Sequence, residues 1–259
     1  MRDDPIIMII ILNWNGFSDT VECLDSLRDS GADESCVVLV DNGSDNDEGA
    51  RIKELFPGIQ LIQNDHNRGF AGGNNDGIDF AINNGAELIA LLNNDCVVEK
   101  EWLPRLVRAV RGSGADFAAS MILFHPERDT ICTDEDALYP DGSGIAVNRY
   151  QHPRSSADPR KIASACAAAA LYSAPALDDV KVGEGQYFDE LYFAYNEDID
   201  LAMRLGAKGY TGITVPDACV YHKHSRTSGR FSFFKMFHSE KNRILNEIFH
   251  LPLYFIVVG

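Results

Sequence analysis

Residues 87–102 read ELIALLNNDCVVEKEW: an apolar run without polar alternation drives into Asn93-Asn94-Asp95 and leaves through Val97-Val98, acids and Trp102. Such a run is what a strand covered on both faces requires, and strands of that kind belong to parallel sheets flanked by helices. Asp95 then has two readings. Asn and Asp hydrogen-bond their own backbone, so the triplet can simply be the turn that closes the strand. A carboxylate at the carboxyl end of a buried strand also stands where open α/β sheets hold their ligands.

Working outward, residues 6–12, 36–41 and 59–62 repeat the covered-strand pattern. Helix-like segments lie between the strands, at about 17–30, 48–56 and 73–84, with Ser18-Asp19 as cap candidates for the first and Pro57-Gly58 and Gly85 as stops for the others. Strand alternating with helix predicts right-handed crossovers and an α/β fold, a three-layer αβα sandwich around a mainly parallel sheet. Beyond residue 112 the rhythm breaks. Residues 116–124 read as another strand and 125–160, rich in Pro, Gly, Asp and Ser, as a long loop or small hairpins. The stretch IASACAAAALYSAPAL fits a helix by propensity and a small-residue core strand by position. A helix over 196–207 and a strand over 211–221 follow, leading into YHKHSRTSG. We expect one domain over residues 1–230 and a C-terminal amphipathic helical segment over 231–259, packed on the domain, on a partner subunit or on a membrane.

Composition narrows the function classes. The formal charge of −16 argues against a nucleic-acid binder, which draws most of its affinity from Lys and Arg on phosphates. The six cysteines show no zinc-type spacing and read as free thiols of a reducing, cytoplasmic compartment. The N-terminal apolar run lacks a basic flank and is cut by Asn13-Trp14-Asn15-Gly16, so it reads as a strand, not a signal. No run reaches the roughly 20 apolar residues that span a bilayer.

Polar clusters fall at the predicted strand ends: Asn13 to Gly16, Asp41 to Asp45, Asn93 to Asp95, and between them NDHNRGFAGGNNDGI at 64–78. Each alone is explained as a turn; parallel strands would bring all four to one cleft. Asp41, followed by Asn-Gly, is placed to accept from a base N–H or ribose hydroxyls. The Gly69–Asn75 stretch reads as a loop that brings backbone close to a ligand before a helix N-terminus. It is neither the dinucleotide fingerprint nor a P-loop. Asp95 has little basic company and would repel a diphosphate unless a divalent cation, Mg²⁺ or Mn²⁺, lay between them. His222, or His224, arriving from the last strand, can complete that metal site. In FAYNEDIDLAMRLGAKGY, Asn196 is a cap candidate, Asp200 can pair with Arg204, and Asp198 in the first turn can take a proton from an acceptor hydroxyl.

Seven pieces in order, IIILNWNG, VVLVDNGSDN, NRGFAGGNNDGI, LLNNDCVV, FDELYFAYNEDIDLAMRLGAKGY, VYHKHSRTSG and EKNRI, together resemble the family 2 glycosyltransferases of the GT-A fold, in particular the rhamnosyltransferase-like branch. The resemblance implies a single in-line displacement, without a covalent enzyme intermediate. The donor would be a nucleotide-diphosphate sugar, dTDP-rhamnose or a UDP-hexose, and the acceptor a hydroxyl of a glycan or lipid-linked substrate. It implies Asp198 as catalytic base, Asp95 as the end of a DXD-like metal motif and His222 as a further ligand. Donor contacts are expected from Asn13, Asp41, Asn67, Gly69, Asn74, Asn75, Asn93 and Asn94. The chain departs from the pattern at Asn93, first in the DXD-like motif, at Asn74, where many relatives carry Arg, and at Cys166, where relatives often have Gly. Peripheral membrane contact and a homo-oligomer are compatible with it. The other readings are a sugar-phosphate nucleotidyltransferase, whose N-terminal Gly-rich basic loop is absent here, and a non-catalytic nucleotide-sugar-binding subunit.

Overall fold

The computed structural model describes residues 5–153, 158–223 and 232–252. In chain order the elements are β1 (Ile7–Asn13), α1 (Phe17–Asp29), β2 (Val37–Asp41), α2 (Glu48–Leu55), β3 (Gln60–Gln63), α3 (Gly69–Asn83), β4 (Leu88–Asn93), β5 (Cys96–Val98), α4 (Trp102–Ser113), β6 (Phe117–Phe124), β7 (Ile131–Thr133), β8 (Asp136–Leu138), β9 (Gly144–Ala146), β10 (Lys161–Ile162), β11 (Ala169–Ser173), α5 (Ala174–Val180), α6 (Glu197–Lys208), β12 (Gly212–His222) and α7 (Phe233–His250).

The main sheet runs β10-β12-β6-β11-β4-β1-β2-β3. Its β4-β1-β2-β3 part is parallel, with Asn13 level with Asp41 and Leu12 level with Asn93; β4, β1 and β2 are covered as their apolar runs require, whereas β3 is the sheet edge and is only half-buried, not covered as expected. β11 runs antiparallel between β4 and β6, and β12 returns parallel to β6. The sheet is therefore mixed. β1 shows why helices flank both faces: Ile9 and Ile11 join α1 and α4 in one core cluster, while Ile10 joins α3 and α5 in the other. All three are wholly buried, each stabilising by about 1.5–3 kcal/mol. Trp102 closes the first core, its Nε1 donating to Ser120 Oγ at 2.8 Å.

Two expectations change in detail. The glycine-rich stretch is not a loop leading to a helix near residue 73: it is already helix from Gly69. Close packing outweighs the low helix propensity of glycine; a Cβ on Gly77 would lie 2.4 Å from Ile10 Cγ2, so the helix can approach β1 only without one. The Ala-rich stretch is both of its alternatives in turn, strand β11 and then helix α5. Its small side chains fit where β11 is sandwiched between β4 and β6, with Ala169, Ala170 and Leu171 wholly buried. His224 lies outside the described residues.

Candidate active site

The carboxyl ends of β1, β2 and β4 gather Asn13, Asp41 and Asn93 at one edge, Asn13 level with Asp41 and Asn93 one step back, level with Leu12, and these polar residues form a row that divides in function. Asn13 Nδ2 donates to Asp41 Oδ1 (3.2 Å), Ser44 Oγ (3.0 Å) and Glu48 Oε2 (3.1 Å), and its Oδ1 accepts from Thr20 Oγ1 (2.7 Å). Asp41 Oδ2 accepts from Gly49 N at 3.1 Å, because the turn after β2 brings the start of α2 onto it. The carboxylate read as turned toward a ligand is buried, and each of its oxygens accepts one hydrogen bond from the scaffold. Asn75 is spent likewise: Nδ2 donates to Phe188 O (2.9 Å) and Oδ1 accepts from Tyr187 N (3.1 Å) and Phe188 N (2.8 Å). Asn74 Nδ2 donates to Phe70 O one helical turn back. With α3 starting at Gly69, both asparagines sit on the buried face of a helix instead of a ligand loop.

In front of the row lies a cavity of about 420 Å³. Asn13, Asp41, Asn74 and Asn75 lie outside its wall, whereas Asn67, Gly69, Asn93, Asn94, Asp95, Asp198 and His222 line it. Asn42, which the sequence reading passed over, organises the α3 side of the cavity. Its Nδ2 donates to Asn67 Oδ1 and Gly69 O (both 3.0 Å), and its Oδ1 accepts from Asn64 Nδ2 and Arg68 N (both 3.1 Å). Every hydrogen-bonding position of that amide is used, so the turn entering α3 is fixed before any ligand arrives.

Asp95 and His222 meet because β5 pairs antiparallel with β12, Cys96 level with His222, and Lys223 N donates to Asp95 O at 3.0 Å. His222 Nε2 lies 3.0 Å from Asp95 Oδ1, both side chains largely buried. Burial opposes a charged imidazole, but the Asp95 carboxylate beside it, with Cys132, pushes its pKa up to about 9. Cys96 Sγ is near enough to join them, yet it is committed to Ala168 O, and burial holds the thiol protonated. The donor set facing the cavity is thus one carboxylate and one imidazole, which suits Mn²⁺ or Mg²⁺ better than a thiophilic ion.

The opposite wall is the start of α6. Before it, Phe193, Tyr195 and Asn196 all have left-handed backbone (φ 62°, 71° and 62°), a conformation kept only where surrounding contacts impose it. Those contacts come from both sides. Phe193 O accepts from Ala71 N (3.1 Å); Asn242 Nδ2 donates to Tyr192 O (2.9 Å) and Ala194 O (2.8 Å). Gly69, itself at φ 74°, admits this approach, since a Cβ there would lie 2.4 Å from Phe193 O. Asn196 does not cap α6 with its side chain; its Nδ2 donates to Ser239 O of α7 instead.

Asp198 Oδ1 accepts from Ile199 N (3.0 Å) and Oδ2 from Ala167 N (3.3 Å). Burial nevertheless raises its pKa, outweighing these amides, so the helix start does not keep this carboxyl as acidic as first-turn placement suggests. Glu197 Oε2 is buried without a partner among the described residues, and burial followed by the Asp198 charge drives that acid far upward. Asp200 goes the other way: burial opposes its charge, but His250 and the expected Arg204 pair hold its pKa low. A third acid was missed. Asp136, on β8, lines the cavity, and one oxygen of Asp136, one of Asp198 and Cys166 Sγ lie within 4.8 Å of one another. Burial, then Asp198, raises Asp136 to about 7.

A metal-type pair and a buried carboxylate facing each other across one cleft of an α/β sheet define a class, and comparison with known proteins gives it a name. The model of the family described as Glycosyl transferase family 2 matches residues 8–181. The chain belongs to that family. Among curated relatives, the transferase is 26% identical over 151 residues to glycosyltransferase AglE of Haloferax volcanii, covering 56% of this chain and 44% of AglE. It is 49% identical over 43 residues to N-acetylglucosaminyl-diphospho-decaprenol L-rhamnosyltransferase of Mycobacterium tuberculosis, covering 17% of this chain and 14% of that protein. The matched stretches thus span less than half of these relatives. Among solved structures, GalNAc-T7 with UDP, GalNAc and Mn²⁺ superposes with a TM-score of 0.71 at 14% identity, over 95% of this chain and 48% of that one. A mannosyltransferase of Pyrobaculum calidifontis in complex with GDP-Man and Mn²⁺ superposes with a TM-score of 0.61 at 15% identity, over 100% and 66%. The architecture is that of the GT-A glycosyltransferases.

Proposed function

We propose that this transferase moves a sugar from a nucleotide-diphosphate donor to an acceptor hydroxyl with inversion at the anomeric carbon. The observation that carries the reading is the shared cavity: Asp95 with His222 on one wall and Asp198 on the other. The acceptor oxygen bonds to the anomeric carbon while the bond from that carbon to the diphosphate oxygen breaks, and the electron pair leaves with the diphosphate. Asp198 takes the acceptor proton, and its two backbone amides aim the carboxylate. Asp95 and His222 would hold Mn²⁺ or Mg²⁺, which when bound supplies positive charge to the leaving diphosphate. Asn67, Asn93 and Asn94, with the Gly69 backbone, give the donor side of the cavity its polar contacts.

For the substrates, the rhamnosyl donor and lipid-linked acceptor in the mycobacterial relative's name support dTDP-rhamnose and a polyprenyl-linked glycan, and the two solved structures support a UDP- or GDP-sugar as competing donors. A panel of UDP-, GDP- and dTDP-sugars with Mn²⁺, read by thermal shift and by nucleotide diphosphate release, tests this reading. The expected result is one nucleotide class that stabilises only with the cation and is turned over. Stabilisation by no nucleotide diphosphate, with or without the cation, would overturn it.

A further inference from the structure

α7 is amphipathic, and it is packed with its polar side inward. Asn242 and Asn246 are wholly buried: Asn242 holds the Tyr192–Ala194 carbonyls, Asn246 Nδ2 donates to Gly142 O (2.8 Å), and Asn246 Oδ1 accepts from Tyr192 Oη (2.6 Å). Phe233, Phe237, Ile244 and Ile248 are 82%, 52%, 45% and 54% exposed. At 3.6 residues per turn these four fall within an arc of roughly 60° and the two asparagines fall on the opposite side. The domain therefore holds this helix by hydrogen bonds and leaves its apolar stripe facing out, the reverse of a helix that completes a core.

Three observations say what covers the stripe. Residues 253–259, which follow α7, are Leu-Tyr-Phe-Ile-Val-Val-Gly, so the apolar character continues past the helix. Charge reverses locally: in a chain of net −16, residues 223–243 contain Lys223, Arg226, Arg230, Lys235, Lys241 and Arg243 against the single acid Glu240. Lys223 faces Asp19 and Glu22, Arg243 faces Glu240 and Glu247, Lys235 lies over the Tyr195 ring and Lys241 Nζ donates to Leu191 O; along the sequence the stretch carries six cations to one acid. Apolar stripe and cationic cluster together are the pattern that lies in an anionic lipid interface. Finally, the helix reaches the active-site cavity, whose wall includes Phe234, Lys235 and Ser239. Among the described residues no helix is long and apolar enough to cross a membrane, and α7 is laid along the domain through its buried Asn242 and Asn246.

We propose that the outward face of α7 seats the transferase on an anionic lipid surface. The cavity then opens beside the lipid headgroups, and, resting on the function proposed above, a lipid-borne acceptor hydroxyl enters on the Asp198 side. The test is co-sedimentation of the full chain with vesicles of phosphatidylcholine and phosphatidylglycerol in a two-to-one ratio, and with phosphatidylcholine alone. It is repeated with the double variant Phe237→Ser/Ile248→Ser, whose positions lie outside the cavity wall, and melting temperature and lipid-free oligomeric state are measured alongside. The wild type is expected to sediment with the mixed vesicles and more weakly with the neutral ones. The double variant should keep its melting temperature and lose at least about tenfold in bound-to-free ratio, from the apolar surface removed. The proposal is overturned if the wild type stays in the supernatant or if both proteins sediment equally. It is also overturned if the wild type is a lipid-free dimer and the variant a monomer, for then a second copy covers the stripe. Because nothing in this measurement depends on turnover, its failure is separate from failure of the transferase reading.

Discussion

Replacing Asp136 by Asn should stabilise the protein at alkaline pH while leaving it nearly unchanged in acid. Asp136 is caught between burial and Asp198, with Glu135 adding a second like charge and Arg149 and the Thr133 hydroxyl offsetting them in part. Its carboxyl is raised from 3.8 to about 7, so the folded state holds a proton that the unfolded chain gives up. Folding is unpenalised below the unfolded value and loses stability as pH climbs through the folded one. The interval of roughly 3 units, at 1.36 kcal/mol each, sets an upper bound of about 4 kcal/mol. Partial solvent access and screening reduce the usable part to about 2 kcal/mol. Asparagine keeps the shape and cannot ionise, so it should melt roughly 4–8 °C above the wild type at about pH 8 and close to it at about pH 4. Melting curves of both proteins at the two pH values measure this. The same substitution removes a like charge beside Asp198, so the acid limb of transfer should move to lower pH. An identical pH 4 to pH 8 difference in melting temperature for wild type and variant would refute the assignment of Asp136 as a protonated partner of Asp198.

Asp198→Asn should lower transfer by about 10²- to 10⁴-fold at saturating donor with the melting temperature kept; Glu197→Gln should stay near wild type, because burial already keeps that acid protonated. Asp95→Ala should weaken Mn²⁺-dependent binding of a nucleotide diphosphate far more than binding of the nucleoside, and titrations of both ligands with and without the cation measure the difference. Asn242→Ala removes donors from the Tyr192 and Ala194 carbonyls and should cost about 2–4 kcal/mol in denaturant unfolding. Transfer should fall further than that unfolding predicts, since the same bonds hold the segment that aims Asp198.

Much of this was legible because covered strands announce themselves. The apolar runs at 6–12, 36–41, 59–62 and 87–92 gave the parallel half of the sheet, and parallel strands imply that their carboxyl ends share an edge. Asp95 follows β4 at that edge and His222 reaches it through the β5–β12 pairing, whereas Asp198 comes to the same cavity from the start of α6. Side-chain partners are another matter. Asn13, Asp41 and Asn75 have the residue types of ligand contacts, yet they bond to Glu48, Gly49 and Phe188, neighbours that only the tertiary fold supplies. Asp136 had no periodic context at all, lying in a Pro- and Gly-rich stretch, and its approach to Asp198 comes from the β8–β9 hairpin folding over the cavity. The orientation of α7 did leave a signal: Asn242 and Asn246, four apart in an amphipathic helix, share the side opposite its apolar stripe.

The segment from Tyr192 to Asn196 binds these pieces into one device. Its left-handed residues store backbone strain directly before the helix that carries Asp198, and strain persists only while its restraints do. On one side the restraint is α3, through Ala71 N and the Cβ-free surface of Gly69, which also lines the cavity. On the other it is α7, through Asn242 and Ser239 O, which is also the helix with the exposed apolar stripe. A contact that tightens α3, such as a bound donor, and one that tightens α7, such as a lipid surface, would therefore act on the same few peptide units. Because each restrains the segment the other must order, the two should reinforce one another without either touching Asp198.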